Sequence, residues 1–222
     1  MNQNKNLKYF YNKVYIKGEK KHFTIKREST SLSEIKEVLK QVSWKNKKVL
    51  DVGCGTGLFA YNAAKKGATV LGIDFSTEAI EIANSQYTHK NLKFQSMDVN
   101  EIKEKFDVIV SNGTLEHMDN PLKSLKLFKK HLTTNGCIIT TSPNWSNPRG
   151  YMLMPLLLLF NAPITLADLH YFTPVDFKNF SKKLDMSLSW KTFDKSWSHG
   201  DILVEDFKKR LPNVLRDSNL PN

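Results

Sequence analysis

Three glycines at alternate positions, Gly53, Gly55 and Gly57, follow a carboxylate at Asp51 and precede two more at Asp74 and Asp98. Glycines spaced this way allow the left-handed backbone of a tight turn and let a ligand lie against the main chain. A helix starting just after them points free N–H groups at the same spot. Asp74 lies 21 residues after Gly53, the separation at which a carboxylate can take both hydroxyls of a ribose. Asp98 stands between Met97 and Val99, so it can accept from an exocyclic amine while its neighbours sandwich an adenine ring. These residues together suit a nucleotide-like ligand. His117 and His170 add two groups able to accept a proton.

The elements that must hold these side chains follow from the periodicity. Val49 to Val52 is an apolar run leading straight into the glycines, which predicts strand, turn and then a helix over Leu58 to Lys66. Thr69 to Ile73 is a strand ending at Asp74, and Ser76 caps the next helix. Leu92 to Gln95, Phe106 to Val110 and Cys137 to Thr141 are the next three strands, with a helix from Pro121 capped by Asp119 or Asn120 before the last. Upstream, Ser31 and Glu34 form a capping box for a helix over Ser31 to Val42 with Leu32, Ile35, Val38, Leu39 and Val42 on one face. Downstream, Thr173, Pro174 and Asp176 open a helix, Met186 to Phe193 alternates as a strand does, and Asp201 to Leu215 is amphipathic. This alternation predicts an α/β fold of three layers, a mostly parallel sheet with helices on both faces. Ligands of such sheets sit beyond the carboxyl ends of the strands, where the glycine turn, Asp74, Asp98 and Asn112 all fall.

The type of nucleotide is narrowed by what surrounds the glycines. The dinucleotide fingerprint needs a small residue where this chain has Leu58, and no Gly-Lys-Ser/Thr follows for a phosphate loop. Asp51 suits an ammonium or the backbone N–H groups of the turn, and repels a pyrophosphate. The runs V-L-D-V-G-C-G-T-G, G-I-D-F-S, M-D-V, S-N-G-T-L-E-H and N-G-C-I-I-T-T-S-P-N make the chain resemble a class I S-adenosylmethionine-dependent methyltransferase. The resemblance covers about residues 45 to 185 and is to the small-molecule subgroup that includes ubiquinone-biosynthesis O-methyltransferases. It implies a Rossmann-like sheet of strand order 3-2-1-4-5-7-6 with the last strand antiparallel. It also implies S-adenosylmethionine as cofactor, with Gly53, Gly55 and Gly57 bordering its methionine part, Asp74 on the ribose, and Asp98 and its neighbours on the adenine. Asn112 and Gly113 would offer backbone contacts. The expected cofactor-binding set is Asp51, Gly53, Cys54, Gly55, Gly57, Asp74, Phe75, Met97, Asp98, Val99, Asn112 and Gly113.

Composition bounds the partners. The formal charge of +11 is uneven, with 13 basic against 4 acidic residues up to residue 48 and 20 against 18 after it. The lysines of the N-terminal arm are scattered and carry no Arg-rich or RNA-binding motif, so nucleic acid is not favoured as a partner. Two cysteines, Cys54 and Cys137, make no disulfide framework, and a polar N-terminus has no signal-peptide core, which together predict a cytoplasmic protein. No His/Cys/carboxylate cluster has ligand spacing, so no metal is expected. The expected organisation is a basic arm and helix over 1–47, a cofactor-binding domain over 48–195 with an apolar insertion at 143–172, and a helix with tail over 196–222.

The acceptor is less explicit. Transfer of a methyl group from a sulfonium is an in-line displacement, so the protein mainly aligns the partners and excludes water. A hydroxyl acceptor is helped by a base, for which His117 and His170 are the candidates, while Glu116 is expected to be structural or orienting. The run Y-M-L-M-P-L-L-L-L-F at Tyr151 to Phe160 is too short to span a bilayer. It predicts a packed helix or homodimer interface, a lid walling a small-molecule acceptor pocket with Tyr151, Phe160, Tyr171 and Phe172, or a peripheral membrane contact. The expected activity is methyl transfer to a small molecule at a hydroxyl oxygen; methylation of RNA or protein, or non-catalytic cofactor binding, are the alternatives.

Overall fold

A computed structural model describes residues 28–162, 164–165, 168–193 and 200–217. The N-terminal arm as far as residue 27, Pro163 and Trp197 therefore lie outside the described residues. Two compact units are distinguished, one taking in Ile35–Ser142 and the other Pro143 onward together with the described residues up to Glu34.

The first unit is built on β1 (Lys48–Val52), β2 (Thr69–Asp74), β3 (Leu92–Ser96), β4 (Phe106–Asn112) and β5 (Leu132–Thr141), paired in the order β3-β2-β1-β4-β5. Every pairing is parallel. In β1 every residue after Lys48 is buried, which a strand reaches only when both faces of its sheet are covered. Val49, Val70, Val108 and Val110 pack on one face against Phe59, Ala60, Ala63 and Ala64 of α2 (Leu58–Lys65) and Ile80 and Ala83 of α3 (Thr77–Gln86). Leu50 and Ile109, pointing the other way by the two-residue period, are also fully buried. α4 (Pro121–Lys130) packs along β5, its first turn capped by Asn120, whose side chain accepts from Lys123 N. Ser76 likewise caps α3, accepting from Ala79 N. The fold class expected from the alternation is the one found, with all five described strands parallel.

Several boundaries differ. α1 runs Glu28–Val38, beginning before Ser31 and stopping short of Val42; Val38 is buried, Ile35, Leu39 and Val42 pack beside it, and Leu32 is exposed. β5 begins at Leu132, on what was expected to be a helix face, but its register against β4 jumps between Phe106↔Leu132 and Val108↔Cys137. Thr133 reaches Asp107 across this irregularity, Oγ1 to Oδ1 at 3.0 Å. Regular pairing thus resumes at Cys137, where the sequence pattern starts.

The second unit holds α5 (Pro148–Phe160), α6 (Pro174–Leu184) and α7 (Gly200–Asp217). Trp145, Leu153, Ala162, Ile164 and Val214 form its core. Arg210 closes it, giving both carboxylate oxygens of Asp206 a hydrogen bond at 2.7 and 2.9 Å and a third to Ile164 O at 2.9 Å. Thr173 and Asp176 form the capping box of α6. Met186 to Phe193, expected as a strand, has no regular structure, and Gly200 to Leu203 is the first turn of α7. Alternation alone does not make a strand without a ladder partner, and among the described residues none pairs with this stretch, leaving Leu188 and Trp190 exposed. The implied sixth and seventh strands are therefore not found among the described residues.

Candidate functional site

Parallel register brings the predicted polar residues into one row. Asp51 is level with Gly72 of β2 and Val110 of β4, and Gly53 N continues the ladder by donating to Ile73 O at 2.9 Å. Two residues further along each strand, on the same face, the row at the carboxyl ends reads Ser96, Asp74, Gly53, Asn112 and Thr141 from β3 to β5. Asp51 lies one step beneath it. The glycine turn bends over this row with φ of 72° at Gly53, 52° at Gly55 and 86° at Gly57, all in the left-handed region. A Cβ on Gly53 would come within 2.5 Å of Thr114 Cγ2, and one on Gly57 within 2.4 Å of Phe94 Cζ. The turn thus needs glycine because of its backbone and its own protein neighbours, not only to admit a ligand.

Asp74 is the organising carboxylate. Its Oδ2 accepts from Gly55 N at 3.0 Å and its Oδ1 from Ser76 N at 2.9 Å, tying the turn to the start of α3. Burial raises its pKa, against the lowering effect of the backbone amides of Ser76, Gly55 and Phe75. Asp51 is buried more completely, 1% exposed, and its Oδ2 has no hydrogen-bond partner. Burial first and the charge of Asp74 second push its pKa up to about 8. Burial and the same two carboxylates push the Cys54 thiol upward, so it is held protonated and unreactive. A fixed carboxylate pair with an unmatched oxygen can take a cation and hydroxyl donors.

Residues 43–210 match the family described as Methyltransferase domain. The chain belongs to that family. Over 118 residues this methyltransferase domain is 36% identical to the ubiquinone biosynthesis O-methyltransferase of Haemophilus ducreyi, an overlap of 49% of this chain and 50% of that protein. The chain thus spans about half the length of the curated relatives it matches. The YcgJ protein of Bacillus subtilis superposes with a TM-score of 0.61 at 16% identity, over 80% of this chain and 83% of that one. Magnesium protoporphyrin IX methyltransferase from Synechocystis PCC 6803, solved with bound S-adenosylmethionine, gives a TM-score of 0.60 at 14% identity, over 91% and 93%. At these identities the likeness is one of fold, and the Rossmann-like methyltransferase fold expected from the motifs is the one present.

Within the methyltransferase domain the remaining predicted residues take distinct places. Phe75 and Met97 are half-buried, the one directly after β2 and the other directly after β3. Asp98 is exposed and caps the 3₁₀ turn Val99–Glu101, with Oδ1 accepting from both the backbone and side-chain nitrogens of Asn100. Gly113 is exposed with φ 55°, and its N–H donates to Thr141 Oγ1 at 3.0 Å. His117 closes the 3₁₀ turn Leu115–His117 directly after β4, half-buried. His170 belongs to the second unit, stacked at 5.6 Å on Phe172. Glu116, expected to be structural or orienting, is buried, 3% exposed. Thr114 and Thr141, which support Gly53 and Gly113, were not singled out by sequence reasoning, because their importance depends on which strand ends meet. The juxtaposition of S-N-G-T with the glycine turn in a parallel sheet is the signal that could have found Thr114.

Proposed function

We propose that this methyltransferase domain transfers a methyl group from S-adenosylmethionine to a hydroxyl oxygen of a small molecule. The observation that carries this reading is the buried pair Asp51 and Asp74 under the glycine turn, one with an unmatched oxygen and the other with both oxygens oriented by backbone amides. Asp74 keeps a second lone pair on each oxygen for the ribose hydroxyls. Asp51 meets the ammonium of the methionine part, and Gly53, Cys54, Gly55, Gly57 and Gly113 border it through their backbones. Met97, Asp98 and Val99 hold the adenine, with Phe75 beside it. Bound in this way the cofactor would supply a methyl group on a positive sulfur to the acceptor's lone pair, leaving the acceptor's proton for the protein to receive. His117 and His170 are the candidates to receive that proton. The name of the Haemophilus relative supports an oxygen acceptor, and two free cysteines suit a reducing cytoplasm.

Transfer of labelled methyl to a panel of phenols and sugar hydroxyls tests the reading. His117→Ala and His170→Ala should leave cofactor affinity within about threefold, and the variant that loses about 10²-fold in turnover identifies the base. Labelling of RNA or protein with no small-molecule product would transfer the activity to the other acceptor class.

α5 supports a further part of the reading, peripheral contact with a lipid surface. Tyr151, Met152, Leu158, Leu159 and Phe160 are all more than half exposed, and the helix carries no charge after Arg149. A helix apolar all round needs cover on its outer face, and Tyr and Phe suit the headgroup boundary. No described helix is long and apolar enough to cross a membrane. Leu158→Glu with Leu159→Glu should abolish sedimentation with phosphatidylglycerol vesicles while leaving the melting temperature within a few degrees. A concentration-dependent homodimer that dissociates in this variant, without vesicle binding by the wild type, would assign the face to a second copy instead.

A further inference from the structure

The core of the second unit holds a group of hydrogen-bond donors at the head of α5. Trp145 is 4% exposed, and its indole Nε1–H has no hydrogen-bond partner among the described residues. The rest of that turn is well matched. Trp145 N donates to Phe172 O at 3.0 Å, Asn144 Oδ1 accepts from Ser146 Oγ at 2.7 Å, and Asn147 Oδ1 accepts from Gly150 N at 3.0 Å. Arg149, 7% exposed, carries its guanidinium over the same indole, with Cζ 5.4 Å from the ring centroid. A Cβ on Gly150 would come within 2.0 Å of Trp145 O, so the first turn of α5 and Trp145 are fixed against each other.

An indole nitrogen can only donate, and a guanidinium has five N–H donors and no acceptor. A fork of five donors can serve a ligand in addition to any contact it makes within the protein. The unmatched indole N–H beside it is unfavourable in a protein interior unless an acceptor reaches it. The start of a helix adds partial positive charge at the same place. One chemistry satisfies all of this, a group with two or more negatively charged oxygens, one taking the indole N–H and another the guanidinium. We propose that the head of α5 binds an oxyanion, a carboxylate or phosphate group carried by a ligand, with Trp145 Nε1–H as the directed donor and Arg149 as the counter-charge. Tyr171 stands edge-on to the indole at 4.8 Å, and its hydroxyl feels the charge of Asp168. The oxyanion therefore belongs on the Arg149 side of the ring, away from that carboxylate.

Magnetic resonance of the indole groups tests this directly. The four tryptophans give four indole N–H signals, and Trp145→Phe, which keeps an aromatic ring and removes the donor, identifies the one from Trp145. Inorganic phosphate or benzoate should move that signal saturably in the wild type, and sodium chloride at the same ionic strength should not. Calorimetry with the same anions should show binding about tenfold weaker in Trp145→Phe and in Arg149→Gln, the scale of a lost hydrogen bond to a charged group. Arg149→Lys keeps the charge without the fork; about threefold weakening is expected there, and it supplies the comparison if thermal melting shows the glutamine variant unfolded. Response to phosphate or benzoate assigns the site to a small molecule, whereas response to short-chain phosphatidylglycerol alone assigns it to a lipid headgroup. A Trp145 signal unmoved by all three, or equal affinity in the wild type and the Arg149 variants, would overturn the inference. None of these measurements uses the methyl donor, so their outcome is independent of where the cofactor binds.

Discussion

Asp51→Asn is expected to make the free protein more stable at pH 9 and to reduce its stability change between pH 5 and pH 9. In the unfolded chain the Asp51 carboxyl loses its proton near the ordinary value of 3.8, whereas in the folded chain burial, with help from the Asp74 charge, holds the proton to about pH 8. Between those values the folded state binds more protons than the unfolded state, so stability falls as pH rises, and the loss is complete above about pH 8. A displacement of this size corresponds to at most roughly 6 kcal/mol, reduced by relaxation and water entry around the charge. Asparagine keeps the shape and cannot ionise, so a gain of about 2 kcal/mol at pH 9 and little change at pH 5 is the expected outcome of denaturant unfolding. Parallel pH curves for the two proteins would show that Asp51 does not carry the buried charge. Linkage extends to the ligand: an ammonium beside Oδ2 favours the ionised carboxyl, so wild-type affinity for S-adenosylhomocysteine should rise with pH up to about 8, and the variant should lose that rise.

Asp74→Ala acts on two levels at once. Its carboxylate is 8% exposed and receives N–H groups from Gly55 and Ser76, so truncation leaves two backbone donors unmatched at the base of the glycine turn. A loss of about 2 to 4 kcal/mol in stability follows from unpaired buried donors. It is offset in part because a carboxylate whose pKa burial raises is also removed. Ligand binding suffers further, since the ribose hydroxyls lose their acceptor, and affinity for S-adenosylhomocysteine should fall by about 10²-fold or more. Asp74→Asn separates the levels, keeping one acceptor oxygen and setting an NH₂ against an N–H. It should fold better than the alanine variant and still bind weakly. Full affinity in both variants would take Asp74 out of the site.

Much of this site is readable from the chain because its parts are local. A strand that ends in alternating glycines, a carboxylate at the end of the next strand, and caps such as Ser76 and Thr173 with Asp176 are each decided within a few residues. The same locality explains the failures. Met186 to Phe193 alternates correctly, but a strand exists only if another strand offers its edge. The start of β5 escapes the pattern since its register against β4 jumps between Leu132 and Cys137, where Thr133 bonds Asp107, a contact 26 residues distant. The spacing points Gly53 at a ligand, while Thr114, just beyond the end of β4, equally forbids a side chain there. The unmatched amide of Asn112 and the coupling of Asp51 to Asp74 arise from register, which fixes side chains of four strands in one row and leaves no trace in any single segment.

The central claim is that the row beneath the glycine turn holds the methyl donor, and calorimetric titration of the wild-type chain tests it most directly. S-adenosylhomocysteine should bind saturably at one site per chain, and NAD, which Leu58 and Asp51 disfavour, should give no heat of binding under the same conditions. Saturable binding of NAD with none of S-adenosylhomocysteine would contradict the account.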